Sequence, residues 1–413
     1  APRVSDPTSA IATPATGLIA YNTVTNLYEF YDGTAWRTIG YGSTPALAIN
    51  DLTDATTDYV TDFNLFMGQG AGASIAAGGQ YNIAIGQNAG TAITDGDSNI
   101  AIGYQSLSSN TTGFSNTAVG HQTLQNNTSN HNTAVGNVAL KANTTGNYNA
   151  ALGAQALQNN QTGSSNTALG ALTLRFNTTA GGNTAIGRAA LYENIDGLSN
   201  TAVGAYALTS NVTKTNNVAI GHSAMRFMGD NTATFSTANT AVGAGALRGG
   251  DTATPSNNTG VWNTALGYSA GKDITTGNNN LFLGFLAGDI VSTGSNNVFM
   301  GYQAGNLTTT GSDNIIIGSN TDASSATASN ELNIGNIIFS DLSTDRVGIG
   351  MINTTAIDAD ALLELDATDK GFLAPRISNP TAAIGATTTG MLAFDTVTNK
   401  FQFYDGGSWQ DVG

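Results

Sequence analysis

The strongest constraint on the fold is a five-residue motif that recurs at a nearly fixed interval along most of the chain. The motif reads Asn-x-Ala-(Val/Ile/Leu)-Gly, with Phe or Ile replacing Ala in some copies, and most copies lie 17 residues apart. A fixed period indicates a solenoid, in which each repeat forms one turn and stacks on its neighbours. The copies end at Gly68, Gly86, Gly103, Gly120, Gly136, Gly153, Gly170, Gly187, Gly204, Gly221, Gly243, Gly267, Gly284, Gly301 and Gly318.

Alternation inside the motif predicts a short strand. In residues 82–86, Ile83 and Ile85 point to one face and Ala84 to the other, so we expect a strand that is buried on both faces. A second apolar residue follows four positions after most motif glycines and predicts a second strand in each turn. The fold class is therefore an all-β parallel β-solenoid, or β-roll, with polar turns between the strands. The second apolar position is occupied by Leu107, Leu124, Leu140, Leu157, Leu174, Leu191, Leu208, Met225 and Leu247.

Two substitution patterns modify the repeat. Phe replaces the motif Ala, and Gly replaces the second apolar residue, mainly in the first and last turns, which predicts widened or tapered turns. A row of Thr residues at the second motif position resembles the hydroxyl array of ice-binding proteins, but alternation places Thr beside Val and Ile and favours its burial. These positions are Phe66, Phe282 and Phe299; Gly90, Gly271, Gly288 and Gly305; and Thr117, Thr133, Thr167, Thr184, Thr201, Thr240 and Thr264.

The two ends of the chain carry the same module. Residues 2–40 align without a gap with residues 375–413, and about half the positions are identical. The pattern predicts strands at 17–21 and 27–31 and a third strand that contains Trp36. A module of this size is marginally stable alone, so we expect its aromatic residues to pack against other copies of the chain. The candidate trimerisation residues are Tyr31, Trp36, Tyr404 and Trp409, and the alternative role for them is a carbohydrate-binding platform.

These features divide the 413 residues into five segments. We predict an N-terminal β module at 1–42, a connector at 43–63 and the solenoid at 64–350. A connector strand at 351–374 then leads to the C-terminal β module at 375–413. A narrow coil with Ala-sized interior residues buries little apolar area, so we expect a parallel homotrimer.

Composition excludes several classes of partner. The formal charge of −15 and the absence of any Lys and Arg cluster disfavour nucleic acid. The chain has no cysteine, so it cannot form disulfides or thiolate sites. No apolar run approaches the ~20 residues that span a bilayer, so we expect no direct membrane insertion. The absence of an initiator Met or signal peptide suggests that the chain is processed or belongs to a longer protein.

The sequence contains no recognisable catalytic constellation. The three histidines, His121, His131 and His222, have no acid and nucleophile arranged around them. An acidic run could bind calcium, but it lacks the Gly that an EF-hand loop requires at its sixth position. We therefore predict a protein that is not an enzyme and that has no cofactor and no metal site. The acidic run consists of Asp358, Asp360, Glu364, Asp366 and Asp369.

Two lengthened turns break the period between Gly221 and Gly267, at 22 and 24 residues. Both carry apolar residues in segments that are otherwise polar. We expect these residues either to contact a cell-surface glycan or protein receptor, or to pack on a neighbouring protomer and lock the trimer. The candidates are Met225, Phe227, Met228, Phe235, Pro255 and Trp262.

Two families share these motifs. Over 64–350, repeats such as Asn-Thr-Ala-Val-Gly at 200–204 resemble the head repeats of trimeric autotransporter adhesins, which implies a trimer of left-handed parallel β-rolls. The segments 347–350 (Val-Gly-Ile-Gly), 361–365 (Ala-Leu-Leu-Glu-Leu) and 370–376 (Lys-Gly-Phe-Leu-Ala-Pro-Arg) look like phage tail-fibre modules and related bacterial surface proteins. That resemblance implies a fibre on a virion, an injection machine or a cell surface, and no catalytic residue.

The predicted function is a structural or adhesive extracellular fibre of the tail-fibre type that displays receptor-binding loops. One alternative is a polymerising extracellular filament subunit, which would explain the identical modules at the two ends. Another is a tailspike-type polysaccharide depolymerase, which needs paired carboxylates in a groove between chains. The scarcity of acidic residues in the repeats argues against that enzyme.

Overall fold

A computed structural model describes residues 3–4, 11, 15–24, 27–39, 55–58, 63–75, 78–227, 236–250, 259–341, 346–349, 363–365, 376–377 and 392–412. The chain divides into two compact units, Ala1–Ala171 and Leu172–Gly413. Strands and turns make up the regular structure of the described residues, which include no helix. The prediction of an all-β parallel solenoid with small flanking β modules is confirmed.

The first unit begins with a four-stranded sheet in the order β1-β2-β3-β4. β1 is parallel to β2, and the other neighbours are antiparallel. β5 then runs antiparallel to β6, the first of the parallel coil strands, which occur once per turn. The strands are β1 Arg3–Val4, β2 Ile19–Asn22, β3 Leu27–Tyr31, β4 Trp36–Ile39, β5 Ala55–Asp58, β6 Asn64–Met67, β7 Ile83–Ile85, β8 Ile100–Ile102, β9 Thr117–Val119, β10 Thr133–Val135, β11 Ala150–Leu152 and β12 Thr167–Leu169.

The coil strands of the second unit pair in parallel from β13 to β21. The regular stacking of parallel strands is interrupted there, within the predicted solenoid range, because β22 pairs antiparallel with both β21 and β23. β23 then pairs in parallel with β24. A second four-stranded sheet has the order β25-β26-β27-β28. The strands are β13 Thr184–Ile186, β14 Thr201–Val203, β15 Val218–Ile220, β16 Thr240–Val242, β17 Thr264–Leu266, β18 Leu281–Leu283, β19 Val298–Met300, β20 Ile315–Ile317, β21 Glu331–Ile334, β22 Ile338–Asp341, β23 Arg346–Ile349, β24 Leu363–Leu365, β25 Arg376–Ile377, β26 Leu392–Asp395, β27 Lys400–Tyr404 and β28 Trp409–Asp411.

The two lengthened turns do not disturb strand pairing. β15 pairs with β16 through Ala219 and Ala241, and β16 pairs with β17 through Ala241 and Ala265, in the register of the regular turns. The extra residues are therefore accommodated outside the strands.

Each three-residue coil strand, from β7 to β20, buries only its central residue. Ala134 of β10, for example, is fully buried and stacks between Ala118 and Ala151 of the adjacent turns. The flanking Thr133 is exposed and Val135 is half-buried. The strands are thus buried on one face within the chain, and the prediction of burial on both faces, including burial of the Thr row, is wrong for the single chain.

A ladder of asparagines fixes the register of stacking. Asn149 accepts the backbone N–H of Asn166 on its Oδ1 atom at 3.0 Å and donates from Nδ2 to the carbonyl of Gly163 at 2.9 Å. The same arrangement recurs in the second unit, where Asn280 accepts from Asn297 and donates to Gly294. Burial of these amide groups costs free energy unless they are hydrogen-bonded. Stacking in this register supplies the hydrogen bonds between turns.

The second apolar residue of each turn lies outside any strand. Leu140 is fully buried, and its backbone N–H donates to the carbonyl of Ala156 in the next turn. Its φ of 49° is in the left-handed region, so this segment follows a tight turn and not the extended path of a β-strand. The prediction of two strands per turn is therefore wrong, although the apolar residues of this row are buried.

Phe and Gly replacements compensate for each other in volume. A Cβ atom added at Gly305 would lie 2.2 Å from the Phe299 ring, and one at Gly288 would lie 2.4 Å from the Phe282 ring. Both rings are fully buried. The phenyl ring therefore lies in the space beside the Gly where other turns carry a Leu side chain, so these two turns exchange large and small residues. Widening or tapering of the turns stays a prediction.

This exchange predicts a suppressor pair. Gly305→Leu alone should lower the melting temperature strongly, because the added side chain overlaps the Phe299 ring. Adding Phe299→Ala should recover most of the loss, since the Ala and Leu combination is the one used in turns such as that of Ala134 and Leu140. Thermal denaturation of the two single variants and the double variant tests this. A double variant no more stable than Gly305→Leu would contradict the compensation.

Candidate protomer-contact surface

One face of the N-terminal sheet is apolar and exposed. Ile19 on β2 pairs with Phe30 on β3, and their side chains are 44% and 37% exposed. Tyr28, on the same face of β3, is 51% exposed. Large apolar side chains gathered on one exposed sheet face form a candidate contact surface.

The C-terminal sheet repeats this face position for position. Leu392 pairs with Phe403, and these residues and Phe401 are 42%, 40% and 39% exposed. They align with Ile19, Phe30 and Tyr28. We call the two sets together the module faces. These residues were not among those predicted from the sequence, although both copies keep an apolar residue at each of the three positions.

The predicted trimerisation residues lie on the opposite side of each sheet. Tyr31 and Trp36 pair with each other across β3 and β4, with ring centroids 5.7 Å apart and an interplanar angle of 54°. Tyr404 and Trp409 show the same distance and angle. All four side chains are half-buried, so each pair packs against its own sheet and fixes the hairpin. Contact of these residues with other protomers stays a prediction.

Aspartates hold the hairpin turn of each module. Asp32 accepts hydrogen bonds from Arg37 Nε at 2.8 Å and from the backbone N–H groups of Thr34 and Ala35, each at 2.8 Å. These bonds, that of Arg37 foremost, hold the pKa of Asp32 well below its ordinary value. Hydrogen bonds from the N–H groups of Ser408 and Gly407 lower the pKa of Asp405 in the same way.

The modules should therefore be sensitive to acid. A folded-state pKa below the ordinary value of 3.8 means that these carboxylates stabilise the fold above that pH and stop doing so as the pH falls further. We expect the module melting temperature to drop below pH 3.8. The double variant Asp32→Asn, Asp405→Asn should be less stable at neutral pH and should respond less to acid. An unchanged acid response in that variant would contradict this role for the two turns.

A second apolar surface follows the coil strands of each unit. The outward residues that flank the buried central residue form what we call the outer strand face. In the first unit this face includes Leu152 and Leu169, which are 49% and 41% exposed. In the second unit it includes Ile220 and Leu266, at 40% and 49%. The apolar side chains continue from turn to turn within each unit, so the surface is a stripe and not a set of isolated residues.

The lengthened-turn candidates occupy different environments. Met225 is fully buried in the coil interior, where it takes the place of the usual Leu, so it does not lie on a surface. Phe227 is half-buried, and Trp262 is 60% exposed. Met228, Phe235 and Pro255 lie outside the described residues. The structure thus leaves Phe227 and Trp262 as surface candidates.

The described residues contain no group of three or more His, Asp or Glu side chains that could hold a metal ion. His121 stacks on Tyr104 at 5.3 Å, and His131 stacks on Tyr148 at 5.0 Å, so both rings belong to stacks along the coil. Most of the acidic run near residue 360 lies outside the described residues. In the part of the chain that the structure describes, no helix is long and apolar enough to cross a membrane.

Comparison with known families identifies the same two ends that carry the module faces. A family model described as a phage tail-like trimerisation region matches residues 1–57 and 351–413. The match supports a homotrimer and, together with the solenoid, a protein similar to phage tail fibres. No curated protein matches the chain, and no solved structure matches it. The resemblance to trimeric autotransporter heads is not supported by a match and stays a prediction.

Proposed function

We propose that this chain is the protomer of a homotrimeric, extracellular fibre of the phage tail-fibre type that attaches a particle to a host cell. The observation that carries the proposal is the coincidence of the trimerisation match with two sheets that expose the same apolar residues, such as Phe30 and Phe403. In the trimer, each module face packs on the equivalent face of the other copies.

The outer strand face supplies a second set of protomer contacts in this proposal. Leu152 in the first unit and Leu266 in the second are each about as exposed as the module-face residues. Burying such side chains contributes roughly 25 cal/mol per Å² of apolar area. A row of them along parallel copies therefore favours association along the coil as well as at the modules.

Receptor contact is assigned in this proposal to residues near the lengthened turns, with Trp262 the most exposed described candidate at 60%. Threefold repetition of a weak site gives avidity without a tight individual contact. The fibre has a structural role and no catalytic one. Incubation with host polysaccharide should release no new reducing ends, and their appearance would favour a depolymerase.

Electron microscopy of the purified chain tests the proposal against its main alternative. We expect separate particles of one size, because the module faces are used within a trimer. Filaments of indefinite length would instead indicate that the modules join trimers end to end, and the chain would then be a polymerising subunit.

A further inference from the structure

Basic residues are concentrated in one part of the second unit. The chain carries a formal charge of −15, yet residues 172–250 contain five Lys and Arg against three Asp and Glu, a balance of +2. The remainder of the chain accordingly carries −17. Residues 172–250 therefore carry a net positive charge in a chain that is acidic as a whole, which lowers the repulsion that an anion meets there.

Three of these arginines alternate with aromatic rings across successive turns. Tyr206 lies between the guanidinium carbons of Arg188 and Arg226, 5.4 and 5.0 Å from its ring centroid. Phe227 lies between Arg226 and Arg248, 5.0 and 5.7 Å from its ring centroid. We call these five residues the arginine ladder. His222 contacts the ring of Tyr206 edge-on at 6.0 Å and lies beside the ladder.

The ladder holds its guanidinium groups in fixed positions. Arg188 also donates a hydrogen bond to the Tyr206 hydroxyl. Stacking on a ring leaves the edge of a guanidinium available to donate two parallel hydrogen bonds to a carboxylate, sulfate or phosphate. Little side-chain entropy remains to be lost on binding, since the rings already restrict the arginines.

The positive charge of the ladder is not neutralised in full by the protein. Among the described residues, neither Arg188 nor Arg226 forms a salt bridge, and the Nε atom of Arg226 is buried without a hydrogen-bond partner. Arg226 and Arg248 lie in adjacent turns, roughly 5 Å apart along the coil by the spacing of parallel strands. An anion that contacts Arg188 and Arg226 would therefore meet positive charge that no salt bridge among the described residues neutralises.

We infer that the arginine ladder binds an anionic cell-surface polysaccharide through its carboxylate or sulfate groups. This inference rests on the proposed function, for which it supplies the receptor chemistry. Arg226 and Arg248 lie one turn apart, and Arg188 and Arg226 lie two turns apart. A polysaccharide whose charged groups are separated by neutral sugars could contact arginines at such intervals. The closely spaced phosphates of a nucleic acid would be repelled more strongly by the acidic remainder of the chain than widely spaced carboxylates or sulfates would be. The faces of the ladder rings are covered by guanidinium groups, which leaves little surface for stacking bases.

Binding of the full-length trimer to immobilised polygalacturonate, hyaluronan and chondroitin sulfate tests the inference, with neutral dextran as a blank. The ladder variant is Arg188→Gln, Arg226→Gln. Its matched control is Lys141→Gln, Lys272→Gln, which removes the same amount of positive charge outside the ladder. Lys141 donates a hydrogen bond to Gln122, and Lys272 forms a salt bridge with Asp273. Solution mass and melting temperature show whether each variant is an intact trimer.

We expect the unmodified trimer to bind at least one of the anionic polysaccharides and not dextran. The ladder variant should bind roughly tenfold or more weakly, as loss of charge-assisted bonds implies. The control should bind nearly as tightly as the unmodified trimer. Equal losses in ladder variant and control would overturn the inference, because net charge would then explain binding.

Absence of binding to all three anionic polysaccharides would also overturn the inference, as would equal ladder-dependent binding to a single-stranded oligonucleotide or to vesicles of anionic lipid. An intact trimer without polysaccharide binding leaves the proposed fibre standing. An unmodified protein whose solution mass is not that of three chains would instead contradict the proposed function.

Discussion

The variant Ala219→Asp is expected not to fold, whereas the neighbouring variant Ile220→Asp should fold and form a weaker trimer. Ala219 is fully buried between Ala202 and Ala241 in the coil interior. An unpaired carboxylate at that position costs on the order of 4 kcal/mol or more, which exceeds what one turn can absorb. Ile220 is 40% exposed on the outer strand face, so its change leaves the interior intact.

Circular dichroism and solution mass separate these outcomes. Ala219→Asp should lose the β signal. Ile220→Asp should keep it and dissociate to single chains at a higher protein concentration than the unmodified trimer does. Leu198→Asp is the matched control, because Leu198 is a 46% exposed aliphatic residue in a turn, away from the outer strand face. An Ile220→Asp protein that unfolds as Ala219→Asp does would show that the two faces have been assigned incorrectly.

The second large effect is expected at the module faces. The double variant Phe30→Arg, Phe403→Arg should be a monomer at micromolar concentration with its strands preserved. Each arginine would place a charge in the apolar surface that the copies bury together, and an unpaired buried charge costs far more than an exposed one. Both phenylalanines are about two-fifths exposed in the single chain, so the sheets themselves should tolerate the change.

Sedimentation equilibrium measures this effect against a control of the same chemistry. Val24→Arg, Val397→Arg replaces apolar residues that are 72% and 70% exposed in the hairpin turns, outside the module faces. The control should remain a trimer. A phenylalanine variant that is as trimeric as the control would mean that the module faces do not hold the copies together.

The solenoid could be predicted from the sequence because the period, the motif and the buried Asn and Ala rows all follow from stacking. The interior face could not be assigned from alternation alone. Alternation separates Ala134 from Thr133 and Val135 but does not say which face is enclosed. The small size of the motif residue in most turns was the available signal, since a coil whose interior is filled by a Leu side chain has room on its strand side only for a small residue.

The backbone conformation of the turn residues outside the strand could not be predicted from the pattern of apolar residues. The Leu140 row marks burial, and burial is compatible with either a strand or a turn. Its φ of 49° depends on the hydrogen bond to Ala156 in the next turn and on tight packing, which hold Leu in a conformation it rarely adopts. The volume exchange between Phe299 and Gly305 was likewise visible as two substitutions, but only their contact relates them.

The candidate surface was located in part. Alignment of the two ends identified the modules, and the family match falls on them. The aromatic residues chosen, such as Tyr31 and Trp36, are the ones that pair within each sheet. Strand register decides which side of a sheet a residue occupies, and a shift of one position exchanges the sides. The exposed side of the N-terminal sheet is therefore defined by the strand register, which places Ile19 opposite Phe30.

The central claim is that copies of this chain associate in threes through the module faces. Sedimentation equilibrium of the full-length chain, over a range of concentrations at neutral pH, tests it most directly. We expect a single species with three times the 42.0 kDa chain mass. A species with the mass of one or two chains, stable across that range, would contradict the claim.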